Sequence, residues 1–177
     1  GALYCAASAP APKPLIYGGG QQNAVRPGTE PVALIAGFGA AAKVAMTSLS
    51  VDASRGRAFI GALLDRLAQH QIRFERITGN RPVVPASAAI SIQGISGDDL
   101  CAMVARHVSL STGSACSSGQ LKTSHVLEKM ELSDDDARSV IRIYCHRYLT
   151  ENDVEAAATH IIAAVARSRV ATGEVRQ

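Results

Sequence analysis

From residue 29 to residue 71 the sequence keeps apolar side chains at helical spacing, a longer run than a small all-β or irregular fold can use. Thr29, Glu30 and Pro31 make a helix start: a hydroxyl to cap, a carboxylate for the first turn and an early proline. Val32, Ile35, Phe38, Ala42, Ala45 and Leu49 then form one stripe. A second helix is predicted from about Ser54 to Gln71, with Phe59, Leu63 and Leu67 along one side. Two consecutive long helices commonly carry a chain between subdomains, so a boundary is expected near residue 50, separating 1–50 from 51–177.

Beyond Gln71 the period changes. Ile72, Phe74 and Ile77 suggest one strand, and the alternation of Ala88, Ile90 and Ile92 within Ala86 to Gln93 suggests a second. Ser96-Gly97-Asp98-Asp99 has the form of a capping box and predicts a helix through Leu100, Met103 and Val104. A short strand is expected at Val108 to Leu110, a short helix at Ser124 to Met130 and a strand at Ser139 to Cys145. Thr150-Glu151-Asn152-Asp153 opens a last helix that turns Val154, Ala158, Ile161, Ile162 and Val165 inward, with fraying expected from Val170. Upstream, Gly1 to Ala7 reads as a strand, Pro10, Pro12 and Pro14 as an extended connector, and Tyr17 to Gln22 as a glycine-rich loop. The fold class that follows is α/β or α+β, with a mixed sheet covered by helices.

Aromatic residues are only 4% of the 177 and tryptophan is absent, so Ala, Val, Ile and Leu must fill the interior. A net charge of +3 spread along the chain makes a mildly basic protein and not a nucleic-acid surface, and the local excess at Arg73, Arg76 and Arg81 reads as a solvated face. No apolar run is read as long enough to span a bilayer, and a cytoplasmic address is the default expectation. The opening Gly-Ala-Leu-Tyr lacks an initiator Met and a basic leader, which suggests a piece of a longer protein.

Cys5, Cys101, Cys116 and Cys145 are widely spaced and form no CxxC pair, so neither a zinc knuckle nor a disulfide framework is supported. No metal site is expected: His107, His146, Cys101 and Cys145 fit no ligand spacing. Cys116 differs from the others in its company, Ser111-Thr112-Gly113-Ser114-Ala115-Cys116-Ser117-Ser118-Gly119. Small polar residues and glycines would leave its sulfur accessible, and an ordinary thiol would still need a base or cation to become a nucleophile. An incidental cysteine in a polar surface loop explains the same residues.

That loop, followed by Ser124-His125-Val126-Leu127, resembles the active-cysteine loop of cysteine desulfurases, pyridoxal-phosphate enzymes of the class V aminotransferase fold. Three more segments match in order. Gly1-Ala2-Leu3-Tyr4 is similar to the strand after the family's lysine loop. Gly18-Gly19-Gly20-Gln21 through Val25-Arg26-Pro27-Gly28-Thr29 resembles its glycine-rich crossing segment. Val140-Ile141-Arg142-Ile143 with Thr150-Glu151 resembles its C-terminal segment. Gln22-Asn23, Pro27 and Tyr144-Cys145-His146 depart from the family pattern.

The resemblance implies a large pyridoxal-phosphate domain ending near residue 50 and a small α+β C-terminal domain after it. It implies L-cysteine as substrate, sulfur accepted on Cys116 and passed to an acceptor protein, and alanine released. Arg142 would hold the substrate carboxylate, whereas an arginine in an apolar strand could equally snorkel or pair with an acid. Thr29 and Arg26 would reach the cofactor phosphate of the other subunit in a homodimer, although Thr29 is also explained as a helix cap. His125, which starts a short helix, could be a base or a metal ligand, but a hydrogen-bonded structural role explains it better. In the family the lysine that bears the cofactor precedes the strand that Gly1-Ala2-Leu3-Tyr4 resembles, and none of Lys13, Lys43, Lys122 and Lys129 has such a setting. The isolated chain is therefore expected to be inactive. Rival readings are a selenocysteine lyase or aminotransferase of the same class, and a dimerisation or sulfur-carrier module without catalysis.

Overall fold

A computed structural model describes residues 1–79, 81–113 and 124–172 of the chain. The described residues divide into two compact units, Gly1–Leu49 and Ser50–Gln177.

In the first unit, Gly1 to Ala7 is not a strand: the segment is exposed and irregular, because no second strand in the unit offers it a ladder. The glycine-rich loop closes on itself. Gln22 Nε2 donates to Glu30 Oε1 at 2.8 Å, and Gly28 N donates to Gln21 Oε1 at 3.2 Å. Gln22, Asn23 and Ala24 follow one another at φ of 51°, 56° and 61°, a left-handed turn that costs energy for residues with a Cβ.

Helix α1 runs without interruption from Val32 to Gln69. Two helices were predicted here, but Ser50-Val51-Asp52-Ala53 contains neither glycine nor proline and nothing stops propagation. The predicted cap at Thr29 is not made. Helical geometry begins three residues later, and Glu30 is turned to Gln22 instead of the helix start. α1 is also long and apolar enough to cross a membrane by length and composition, which corrects the expectation that no such run exists.

The second unit is an antiparallel sheet under helices. Its strands are β1 (Phe74–Arg76), β2 (Ser87–Ile92), β3 (Ser111–Thr112) and β4 (Val140–Tyr144), in the order β1-β2-β4-β3. Every pairing among the described residues is antiparallel, so the sheet is not mixed as expected. β4 comes last in sequence yet lies between β2 and β3, and its opposite direction to both is what allows two strands of like direction to share it.

The helices α2 (Gly97–Val104), α3 (His125–Lys129), α4 (Asp134–Arg138) and α5 (Glu151–Thr172) complete the fold. The capping boxes behave as predicted. Ser96 Oγ accepts from Asp99 N at 3.0 Å, and Thr150 N donates to Asp153 Oδ2 at 2.8 Å. α4 was not predicted; Ser133 caps it by accepting from Asp136 N at 3.1 Å.

One face of the sheet and the helices enclose the main core. Leu67 of α1, Ile90 and Ile92 of β2, Leu100 of α2, Ile141 of β4 and Ile161 of α5 are all sealed from water. Each such side chain contributes roughly 1.5–3 kcal/mol relative to exposure. On the sheet's other face a smaller cluster joins Leu127 of α3, Ala137 of α4 and Val140 of β4.

Candidate active-site platform

The strand pleat sorts the side chains of β4. Ile141 and Ile143 turn into the main core, and Val140, Arg142 and Tyr144 therefore point to the opposite face. Val140 is covered there by α3 and α4, whereas Arg142 and Tyr144 are exposed. Arg142 stands across the ladder from Ala89 of β2 and Ser111 of β3, with two small neighbours that leave its guanidinium open. No hydrogen bond or ion pair holds that guanidinium among the described residues, so no acid there claims it, and its exposed head is also what an arginine snorkelling from an apolar strand would show.

Ser111 opens the segment that leads to Cys116. Cys116 itself, with residues 114–123, lies outside the described residues. The stems on either side are described, and they meet. A Cβ on Gly113 would stand 3.1 Å from Leu127 Cδ1 and 3.4 Å from Ser124 Cβ. Gly113 and Ser124 thus stand side by side, next to the strand whose Ser111 faces Arg142. His125 opens α3 from this stem, exposed and without the structural hydrogen bond expected of it among the described residues.

The other cysteines have different settings. Cys145 is buried in the main core and Cys101 packs against it. Burial pushes both thiols up, reinforced at Cys101 by the Asp98 carboxylate, so both are held protonated and unreactive. His107 stacks face to face on His160, ring centroids 4.0 Å apart, a pairing that sequence spacing could not show. Beside Cys145 is a crevice of about 70 Å³. Its two guanidinium groups are already engaged: Arg147 pairs with Asp52 at 2.7 Å, and Arg55 donates to Leu149 O at 2.6 Å.

In the first unit, Arg26 and Thr29 lie in the strained loop and are both exposed. Neither side chain has a hydrogen-bond partner among the described residues. A guanidinium and a hydroxyl three residues apart, on a loop fixed by Gln21 and Gln22, suit an anionic oxygen cluster such as a phosphate. Pro27 between them is buried and helps to fix the loop's path.

The aminotransferase class-V family model matches residues 14–157. A cysteine desulfurase of Frankia sp. strain EuIK1 is 37% identical over 159 residues, covering 88% of this chain and 38% of that protein. The cysteine desulfurase IscS of Plasmodium falciparum is 36% identical over 157 residues, covering 88% of this chain and 28% of that protein. A solved structure described as a NifS-like protein superposes with a TM-score of 0.79 at 27% identity, covering 93% of this chain and 41% of that one. The chain therefore spans well under half the length of the curated relatives it matches. The match runs from the connector before the glycine-rich loop, through the Arg142 strand, to the first turns of α5, and the chain belongs to the class-V aminotransferase family.

Proposed function

We propose that the chain is the cysteine-bearing portion of a pyridoxal-phosphate-dependent cysteine desulfurase. On this reading residues 1–50 end the large cofactor domain and residues 51–177 form the small C-terminal domain. The observation that carries the proposal is Arg142, an exposed and unengaged cation directly across the ladder from the strand that leads to Cys116. Cys116 is three peptide links on from Gly113, a reach of at most ~11 Å along the backbone.

Arg142 binds the substrate carboxylate with its planar pair of N–H donors and so fixes the orientation of L-cysteine. Cys116, once its proton is removed, forms a bond from Sγ to the substrate sulfur. The substrate's carbon–sulfur bond breaks, the electron pair stays with carbon, and protonation there gives L-alanine. A persulfide is left on Cys116 for an acceptor protein. Pyridoxal phosphate, when bound, supplies the electron sink that the substrate's α-carbon needs. Arg26 and Thr29 are the residues here that would hold its phosphate, offered to the neighbouring subunit of a homodimer. Lys13, Lys43 and Lys129 are exposed, and none of them stands beside Arg142 across its strand ladder.

The test uses a chimera in which these residues replace the matched portion of the Frankia cysteine desulfurase. Cys116→Ala should abolish sulfur transfer while cofactor absorbance survives; retained transfer would sink the assignment. The 177-residue chain alone, supplied with pyridoxal phosphate, should release no alanine from L-cysteine.

A further inference from the structure

Two exposed polar side chains leave β4 on one face of the sheet, and the proposed reaction uses only Arg142. Tyr144 is the other, in the Tyr144-Cys145-His146 stretch that departs from the family pattern. It is 66% exposed, and no hydrogen bond among the described residues engages its hydroxyl.

The strand brings the two together. Ile141, Ile143 and Cys145 turn into the main core, so Arg142 and Tyr144 between them share the opposite side. Residues two apart on a strand stand about 6.5 Å from each other, a separation that aromatic and long side chains span. Their ladder neighbours are short: Ala89 and Ser111 beside Arg142, and Ser87 beside Tyr144. None of these is long enough to part the two heads. The crevice that Tyr144 also borders offers the phenol no free cation, because Arg147 there is paired with Asp52 and Arg55 with Leu149 O.

An ionised carboxylate can accept about four hydrogen bonds, and a guanidinium fork supplies two of them. A phenolic O–H can supply a third without adding a second charge, and a hydrogen bond to an ionised acceptor is the strong kind. We infer that Tyr144 is a second substrate-binding residue, whose O–H donates to the carboxylate gripped by Arg142. The substrate class that follows is an amino acid with a free carboxylate. A cysteine ester or cysteamine would leave both donors without their charged acceptor. The inference rests on the reading of Arg142 as the carboxylate ligand, and adds to it a residue and a specificity.

Tyr144→Phe in the Frankia chimera tests it, since the change removes the O–H and keeps the ring. KM for L-cysteine should rise roughly fivefold or more, with kcat, cofactor absorbance and melting temperature unchanged. The Ki of L-alanine as a competitive inhibitor should rise by a like factor, whereas that of ethylamine, which lacks the carboxylate, should not move. Unchanged KM and Ki overturn the inference. So does an equal rise for L-alanine and ethylamine, which would put the phenol elsewhere on the ligand. A rise in KM with Tyr144→Ser but not with Tyr144→Phe overturns it as well, because the ring and not the O–H would then be what matters. Arg142→Gln keeps the two failures apart. If it raises the Ki of L-alanine and Tyr144→Phe does not, the role of Arg142 stands and that of Tyr144 falls. If it leaves that Ki unchanged, the reading of Arg142 fails first and the shared carboxylate fails with it.

Discussion

Arg66 of α1 and Glu155 of α5 meet side on, Nε to Oε2 at 2.7 Å and Nη2 to Oε1 at 2.5 Å. The hydrogen bond and the guanidinium charge hold the Glu155 carboxyl below its ordinary range, and Thr150 does the same for Asp153 at the start of the same helix. A depressed carboxylate stabilises the fold above its unfolded pKa, and the contribution is lost as pH falls through the folded pKa. Stability should therefore fall on the acid side, below the ordinary carboxylate range. Glu155→Gln should flatten that fall slightly, and high salt should shrink the difference, because both side chains are solvent-exposed. Thermal melts at several pH values and two ionic strengths check this.

Gly56 and Ala86 touch backbone to backbone. A Cβ at Gly56 would stand 2.6 Å from Ala86 Cβ and 2.7 Å from its Cα. Gly56→Ala should destabilise the second unit by about 1–3 kcal/mol in denaturant titration. Adding Ala86→Gly should recover only part of the loss, since Ala86 Cα and N remain in the way.

Leu67 and Ile161 are sealed in the core between α1, α5 and the sheet. Either residue changed to alanine should cost about 2–5 kcal/mol, and the midpoint shift in urea measures it. Thr150→Ala should cost about 1 kcal/mol by removing the cap of α5.

Among the described residues no hydrogen bond or ion pair holds Arg142, so Arg142→Gln should leave stability within about 0.5 kcal/mol. In the Frankia chimera the same change should raise KM for L-cysteine by at least tenfold. Arg142→Lys should restore charge without the two-pronged geometry and recover only part of the affinity.

Much of this was legible in the residues. The capping boxes at Ser96 and Thr150 and the alternation through Ala88, Ile90 and Ile92 are local signals, and each places its element within a residue or two. Cys116 and Arg142 were singled out by motif alone, and the structure adds only that Arg142 lies across the ladder from Ser111, five residues before Cys116. What sequence missed is non-local. Nothing in Gly1 to Ala7 says whether a partner strand exists, and nothing in β4 says that it lies between β2 and β3. Thr29 misled because its hydroxyl suits a cap, while the contact between Gln22 and Glu30 takes the chain away from helical geometry there.

The order β1-β2-β4-β3 has a consequence for synthesis. β3 has no partner until β4, about thirty residues later, is made, so the ladder that sets Ser111 opposite Arg142 cannot form while the chain is still emerging. A nascent chain halted before Val140 would carry Cys116 with no strand beneath its stem. The cysteine is translated before the strand that completes the surface beside its stem.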